Sequence, residues 1–322
     1  MKKVVVIGGG SGIFNVLKGL KNYPVEITSI VTTFDNGGST GILRDEFGTL
    51  PQGDIRRSLI ALAPDTGDSI LRDIFNFRFP KESSLNGHSF GNLFLQALTT
   101  ISGSEVGAIK KAAEILNIKH AILPISTDNA ELWAELEDGS IIKGETNIDI
   151  PKHDGNKKIK KVYLKPNAIM YSEAYDAIMN ADLVIIGPGD LYTSIIPNLL
   201  VEGFTDAIAH TKAKILYVLN VMTKWGETNN FTGSDFANTL LSYLKKDKVD
   251  IILCNNAPLK IHLQERYEKE KGFQVMFDIA DLQKYGSQII REDLLLQTDD
   301  IIRHDPQKIA RAIMKILSTD IH

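Results

Sequence analysis

Four glycines and a serine, Gly8-Gly9-Gly10-Ser11-Gly12, follow directly on the apolar run Val4-Val5-Val6-Ile7 and open a stretch of helical period. Glycines let a backbone approach a phosphate closely, and the start of the next helix offers unpaired N–H groups at the positive end of its dipole. The run departs from the dinucleotide fingerprint, because Ile13 stands where the third glycine of Gly-x-Gly-x-x-Gly belongs. It is not a P-loop either, since no Gly-Lys-Ser/Thr follows. The reading is an anion nest at Gly9, Gly10, Ser11 and Gly12, set against a plain strand–helix turn.

A second glycine cluster, Asp35-Asn36-Gly37-Gly38-Ser39-Thr40-Gly41, puts a carboxylate beside another nest formed by Gly37, Gly38 and Ser39. In Pro51-Gln52-Gly53-Asp54-Ile55-Arg56-Arg57, Asp54 stands either as a helix N-cap or, with Asp35, as a Mg²⁺ ligand beside phosphate oxygens. Both readings stay open on spacing alone. Gly87-His88-Ser89-Phe90-Gly91-Asn92 precedes a helix, with His88 either a general base or cap-side structure. Gly187-Pro188-Gly189-Asp190-Leu191-Tyr192-Thr193-Ser194 offers backbone N–H groups and two hydroxyls. Asn220 and the pair Asn255-Asn256 carry amides suited to a sugar or base edge. Each signal is weak alone; together they call for a single edge that gathers them.

Short apolar runs supply that edge. Residues 4–7, 27–33, 121–125, 183–186, 215–219 and 251–254 each stop at or beside Gly, Asp, Ser or Asn. Continuous apolar runs of this length suit strands buried on both faces of a parallel sheet. Helical-period stretches at residues 13–20, 57–62, 91–101, 106–116 and 236–244 alternate with them. The expectation is an α/β fold with a doubly wound, mostly parallel, Rossmann-like sheet, whose ligands bind at the strand carboxyl ends. Residues 132–143 break the rhythm with strand chemistry on both sides of Asp138-Gly139, which predicts a hairpin. Residues ~127–167 read as a small β-rich insertion.

At 322 residues the chain is long enough for about two domains or one large α/β unit. Its 43% hydrophobic and 24% charged residues exclude disordered and fibrous classes. A net charge of −4 gives no general pull toward nucleic acid or an anionic membrane. The Lys157-Lys158-Ile159-Lys160-Lys161 run reads as a solvated face, since it carries no interleaved aromatics. The single cysteine, Cys254, has no partner in the chain and points to a reducing compartment. Met1-Lys2-Lys3 is followed by too short an apolar run for a signal peptide, and no run of about 18 apolar residues occurs. The expectation is a cytoplasmic protein without membrane insertion.

The ordered set of motifs resembles the gluconeogenesis factor family, which shares its fold with the CofD 2-phospho-L-lactate transferases. The resemblance rests on the glycine loops above and on Leu191-Tyr192-Thr193-Ser194-Ile195-Ile196-Pro197-Asn198, Asn220-Val221-Met222-Thr223 and Arg303-His304-Asp305-Pro306. It covers nearly the whole chain and implies one CofD-like domain over residues 1–322. It implies a cytoplasmic factor that binds a UDP-sugar, UDP-N-acetylglucosamine or UDP-glucose, and supports cell shape and envelope synthesis on gluconeogenic carbon sources. The diphosphate would then sit on the first nest and on the N–H groups of Gly187, Gly189, Thr193 and Ser194, with Gly37, Gly38, Ser39, Asn92 and Asn220 completing the site. Arg303 would pair with phosphate, a reading preferred to the cap of a C-terminal turn; Tyr267 would either stack on a ring of the ligand or pack a helix onto the sheet. No cofactor is required in this reading, no nucleic acid is a partner, and the assembly expected, if any, is a homodimer.

The transferase relatives imply an alternative. Asp35 and Asp54 would hold Mg²⁺ against a guanosine diphosphate donor, and one of them or His88 would take a proton from the acceptor hydroxyl. An NAD-binding oxidoreductase ranks last because of the missing third glycine. Departures from the family pattern are Asn36 for an acid, Gln52 for Pro, Asp190 for Ser, and Lys224-Trp225 for Gln-Pro.

Overall fold

The computed structural model describes residues 1–65, 70–298 and 301–319. Twelve strands occur among them: β1 Lys2–Gly8, β2 Val25–Val31, β3 Ala121–Pro124, β4 Glu131–Leu136, β5 Ile141–Lys143, β6 Ile159–Lys165, β7 Leu183–Ile186, β8 Lys214–Val218, β9 Val249–Asn255, β10 Gly286–Glu292, β11 Leu295–Gln297 and β12 Ile302–His304. Seven form the central sheet in the order β10-β9-β8-β7-β1-β2-β3, and every pairing within it is parallel. The chain winds outward through β2 and β3, then returns to the other side of β1 with β7. That reversal opens a crevice at the carboxyl ends of β1 and β7, where open α/β sheets bind ligands.

The continuous apolar runs have a direct cause. Side chains of a strand alternate between sheet faces. Val5 and Ile7 of β1 enter one core with Ile30, Val184, Ile186 and Tyr217. Val4 and Val6 enter the other with Ile27, Val31, Leu183, Ile185 and Leu216. A strand with a packed core on each face has no position for a polar residue, so periodicity disappears and length alone marks it. At β10 the rule weakens. This edge strand is largely exposed and reads Gly286-Ser287-Gln288-Ile289-Ile290-Arg291-Glu292, so its sequence carries no buried run. The short hairpin β11–β12 is equally silent.

The three-stranded antiparallel sheet β5-β4-β6 falls within residues 127–167. Leu132, Ala134 and Leu136 of β4, with Val162 and Leu164 of β6, turn inward and join the first core. Their neighbours face out, which is the period-two pattern of a sheet wet on one side. Gly139 takes φ +84 in the turn, and Asp138 accepts from the Ser140 N–H at 3.0 Å. Lys157 pairs with Asp138, and Lys160 and Lys161 pair with Glu135, so two carboxylates partly offset the charge of the lysine run. Strand pairing does set Trp133 beside Tyr163, ring centroids 6.1 Å apart, with Lys143 and Lys165 over the indole. These aromatics lie outside the lysine run in sequence and inside its neighbourhood in space.

Candidate functional site

Three helices begin at the crevice: α1 Gly10–Leu20, α2 Gly38–Phe47 and α3 Gly53–Leu62. Their N-cap residues are Gly9, Gly37 and Gln52, and none supplies a side-chain cap. A helix leaves its first N–H groups without intrahelical partners, so three starts here aim donor groups and positive dipole ends into one hollow. Gly10 has φ +66 and Gly38 φ +48, left-handed values that side chains adopt rarely. Gly12 is needed for a different reason: a Cβ on it would lie 2.1 Å from the Pro188 carbonyl oxygen. Its smallness packs the β1 loop against the β7 loop.

The crevice consists of two adjoining hollows that share Gly10, Ser11, Asp190, Ser194 and Arg303. The smaller, about 170 Å³, is lined by residues 9–12, Gly189, Asn220 and residues 302–304. The larger, about 490 Å³, takes in Asp35, Gly37, Gly38, Ser39, Asp54, Asn92 and Thr193. Thus most of the residues singled out by sequence converge. Asn220 donates to the Gly189 carbonyl at 2.8 Å and fixes the seam between β7 and β8. Among the described residues Arg303 makes no ion pair, and its exposed side chain borders both hollows. Gly187 ends β7 with φ +74 but lines neither hollow.

Asp54 is not an N-cap. It lies in the first turn of α3, where its carboxylate accepts from the Gly10 N–H and faces Arg57 Nη1 at 3.3 Å. Burial, opposed by Arg57 and aided by the nearby Asp35, pushes its carboxyl up to about 6. It therefore occupies part of the first nest as an internal anion. Asp35 accepts from the Gly37 N–H at 2.7 Å and is hydrogen-bonded to Glu145, which burial and the charges of Asp35 and Asp149 hold well above the usual carboxyl range. His88 reaches the crevice only through Ser39, Nδ1 to Oγ at 3.1 Å, and lines neither hollow. Ser39 also accepts from Asn92 Nδ2 at 3.2 Å, and Asn92 Oδ1 accepts from buried Arg56 at 3.0 Å. Tyr267 lies outside both hollows. Its hydroxyl accepts from the Ile302 N–H at 3.1 Å, one residue before Arg303, so it braces the strand that carries the arginine.

Sequence reasoning missed one whole wall. The short helix Glu145–Asp149 of the β-rich segment brings Glu145, Thr146 and Asp149 into the larger hollow, whose lining also holds Arg56, Arg57 and Arg78. It is docked by Asn36, whose Oδ1 accepts from the Thr146 N–H at 3.0 Å. Asn36 thus faces the docked helix rather than the hollow, and the amide matches its partner where a second carboxylate would add charge. Lys224 completes the wall, bonded to Asp149, Asp190 and Glu227. Burial alone would lower its pKa, but the three carboxylates more than reverse that and raise it.

A Mg²⁺ ion on Asp35 and Asp54 would have to share both carboxylates with partners they already hold. Asp54 is already committed to a backbone N–H and a guanidinium, and Asp35 to Gly37 and Glu145. Among the described residues, the three carboxylates close enough to share a cation are Asp149, Asp190 and Glu227, and Lys224 stands among them. No helix of the described residues is long and apolar enough to cross a membrane.

The chain is similar to known proteins along almost its whole length. A family model described as 2-phospho-L-lactate transferase CofD matches residues 4–295. A gluconeogenesis factor of Bacillus subtilis (strain 168) is 40% identical over 316 residues, covering 98% of each chain. A protein of the same name from Halalkalibacterium halodurans is 41% identical over 315 residues, covering 98% of this chain and 96% of that one. A crystal structure described as a upf0052 family member from Bacillus halodurans matches with a TM-score of 0.91 at 39% identity, covering 98% of this chain and 100% of that chain.

Proposed function

The chain belongs to the CofD family and to its gluconeogenesis factors, and from that premise we propose that its crevice binds a UDP-sugar as a regulatory ligand. The observation that carries this reading is the convergence of three helix starts without side-chain caps on one hollow beside Arg303, which makes no ion pair among the described residues. A diphosphate is the ligand part that such donors stabilise best. The smaller hollow, with Asn220 on its wall, suits the nucleoside end. The larger one, edged by Asp35, Glu145 and Asp149, offers acceptors for sugar hydroxyls. Its volume lies in the usual range for a small-molecule site. In the cell, this reading gives a cytoplasmic factor that couples UDP-N-acetylglucosamine or UDP-glucose supply to envelope synthesis and cell shape during growth on gluconeogenic carbon.

The transferase reading draws on the description of the matching family model and on the carboxylates at the same edge. In it, Asp35 would orient an acceptor hydroxyl. His88 would act through Ser39, since it does not face the hollow directly. A thermal-shift panel separates the two. A UDP-sugar at a hundredfold its dissociation constant should stabilise the protein by about 2.7 kcal/mol, with or without chelator. Stabilisation by GDP with Mg²⁺ and not by UDP-sugars would turn the conclusion toward transfer; a response to NAD alone would overturn both.

A further inference from the structure

We propose that Lys224 is the resident cation of the larger hollow, an ammonium held where carboxylates from three chain segments would otherwise gather a divalent metal ion. Its Nζ lies 2.8 Å from Asp190 Oδ2 and 3.0 Å from Glu227 Oε1, and also bonds Asp149 Oδ1. Asp149 comes from the helix of the β-rich segment, Asp190 from the loop after β7, and Glu227 from the turn that follows Lys224. One oxygen from each lies within 4.8 Å of the others, a spacing at which a single cation touches all three.

The acids alone would carry no such argument. What carries it is the cation already among them, together with the count of its donors. An ammonium has three N–H groups and no acceptor; Nζ donates to Asp149 and Asp190 and stands 3.0 Å from Glu227 Oε1, so carboxylates surround it. Lys224 therefore acts on the hollow through its charge, and by clamping the helix Glu145–Asp149 to the sheet edge. Glu227 is fully buried and also accepts from the Tyr192 N–H at 3.2 Å and the Thr193 hydroxyl at 3.1 Å, so the clamp extends into the loop that lines the hollow. Asp190, from the loop after β7, and Lys224, from the loop after β8, pair directly in the structure. Removing one partner of such a pair leaves an uncompensated charge that seeks another counterion.

The inference concerns the wall of the proposed ligand site but does not depend on which ligand fills it. Mn²⁺ titrated into the ligand-free full chain, followed by electron paramagnetic resonance, tests it directly. Wild type is expected to show no saturable site at this cluster up to millimolar Mn²⁺. Lys224→Met keeps the stem and drops the charge; it should gain one Mn²⁺ per chain, at least about tenfold tighter than any residual binding to wild type. Adding Asp190→Ser to that variant should abolish the gain. Lys224→Gln serves as a second variant should Lys224→Met fold poorly. A saturable Mn²⁺ site in wild type that Asp190→Ser removes would overturn the proposal without recourse to the lysine variants. So would a folded Lys224→Met or Lys224→Gln that gains no ion. Because the probe is the metal alone, these outcomes stay readable even if no UDP-sugar binds.

Discussion

The two walls of the crevice are built by different means. One is backbone: the loops after β1, β2 and β7, shaped by Gly10, Gly38 and Gly187 in left-handed conformations and by helix starts without side-chain caps. The other is side chain: Glu145, Asp149 and Lys224, brought together from segments far apart in sequence. Helices elsewhere show what the first wall gives up. The helices Phe90–Ser102, Glu105–Ile115 and Gly233–Leu244 are capped by Ser89, Ser104 and Thr232, each side chain accepting from a first-turn N–H. Those caps close off first-turn donors. At the crevice the N-cap side chains take none, and carboxylates hold the Gly10 N–H, through Asp54, and the Gly37 N–H, through Asp35. A backbone wall is rigid before the ligand arrives and loses no rotamer freedom on binding. A wall of ion pairs is set by charge, so it answers to pH and to substitution of single side chains.

The largest expected effect falls on the backbone wall. A Cβ at Gly12 would sit 2.1 Å from the Pro188 oxygen and 2.5 Å from its carbon, where only main chain can yield. Gly12→Ala should lower stability by about 3 kcal/mol in denaturant unfolding. Gly10→Ala meets Ser194 Oγ at 3.3 Å and nothing closer, so it should cost only the strain of φ +66, about 1–2 kcal/mol. A larger cost at Gly10 than at Gly12 would break the division between a packing glycine and a ligand-facing one.

Next in size is the charge shared by both hollows. Arg303→Ala should weaken UDP-sugar binding by about 1.5–3 kcal/mol, as measured calorimetrically, and lysine should restore only part because it lacks the planar fork. Unchanged affinity would make Arg303 a structural residue.

The smallest effect probes the nest itself, at Asp54. Its carboxyl sits near 6 in the folded protein against 3.8 ordinarily, so the native state holds this proton more tightly than the unfolded chain. That contribution to stability is complete below the ordinary value and is lost as pH rises through about 6. Asp54→Asn removes the loss, so its stability relative to wild type should climb from about pH 4 to about pH 7. Wild-type affinity for a diphosphate should tighten severalfold as pH falls below about 6, because the internal anion beside the nest is then neutral. The variant should show a flat profile over that range, and a parallel profile would remove Asp54 from the site.

The same contrast explains what the sequence made legible. Runs such as Val4-Val5-Val6-Ile7 announce strands packed on both faces, and the glycines after them announce loops that must bend tightly. These are local properties, so the central sheet, the first nest and most of the backbone wall could be read directly. The side-chain wall could not. Glu145 and Asp149 meet Asp35 and Lys224 only because Asn36 docks a helix more than a hundred positions away, and nothing local to Glu145 signals that. Edge elements failed for the opposite reason: β10 and the β11–β12 hairpin bury too little to leave a pattern. Tyr267 shows a third limit. Its type suits stacking on a ligand, while its hydroxyl bond to Ile302 depends on tertiary contact.

The central claim is that a UDP-sugar binds through the backbone nest at the start of α1. Calorimetric titration of UDP-N-acetylglucosamine into wild type and Gly10→Val, in excess chelator, tests it most directly, with unfolding curves to verify that the variant is folded. Valine at φ +66 would crowd Ser194 and block phosphate approach while leaving both cores untouched. The expected result is saturable binding to wild type and a loss of at least about a hundredfold, or 2.7 kcal/mol, in the variant. Equal affinity in a folded Gly10→Val, or binding to wild type only when Mg²⁺ is restored, would contradict the account.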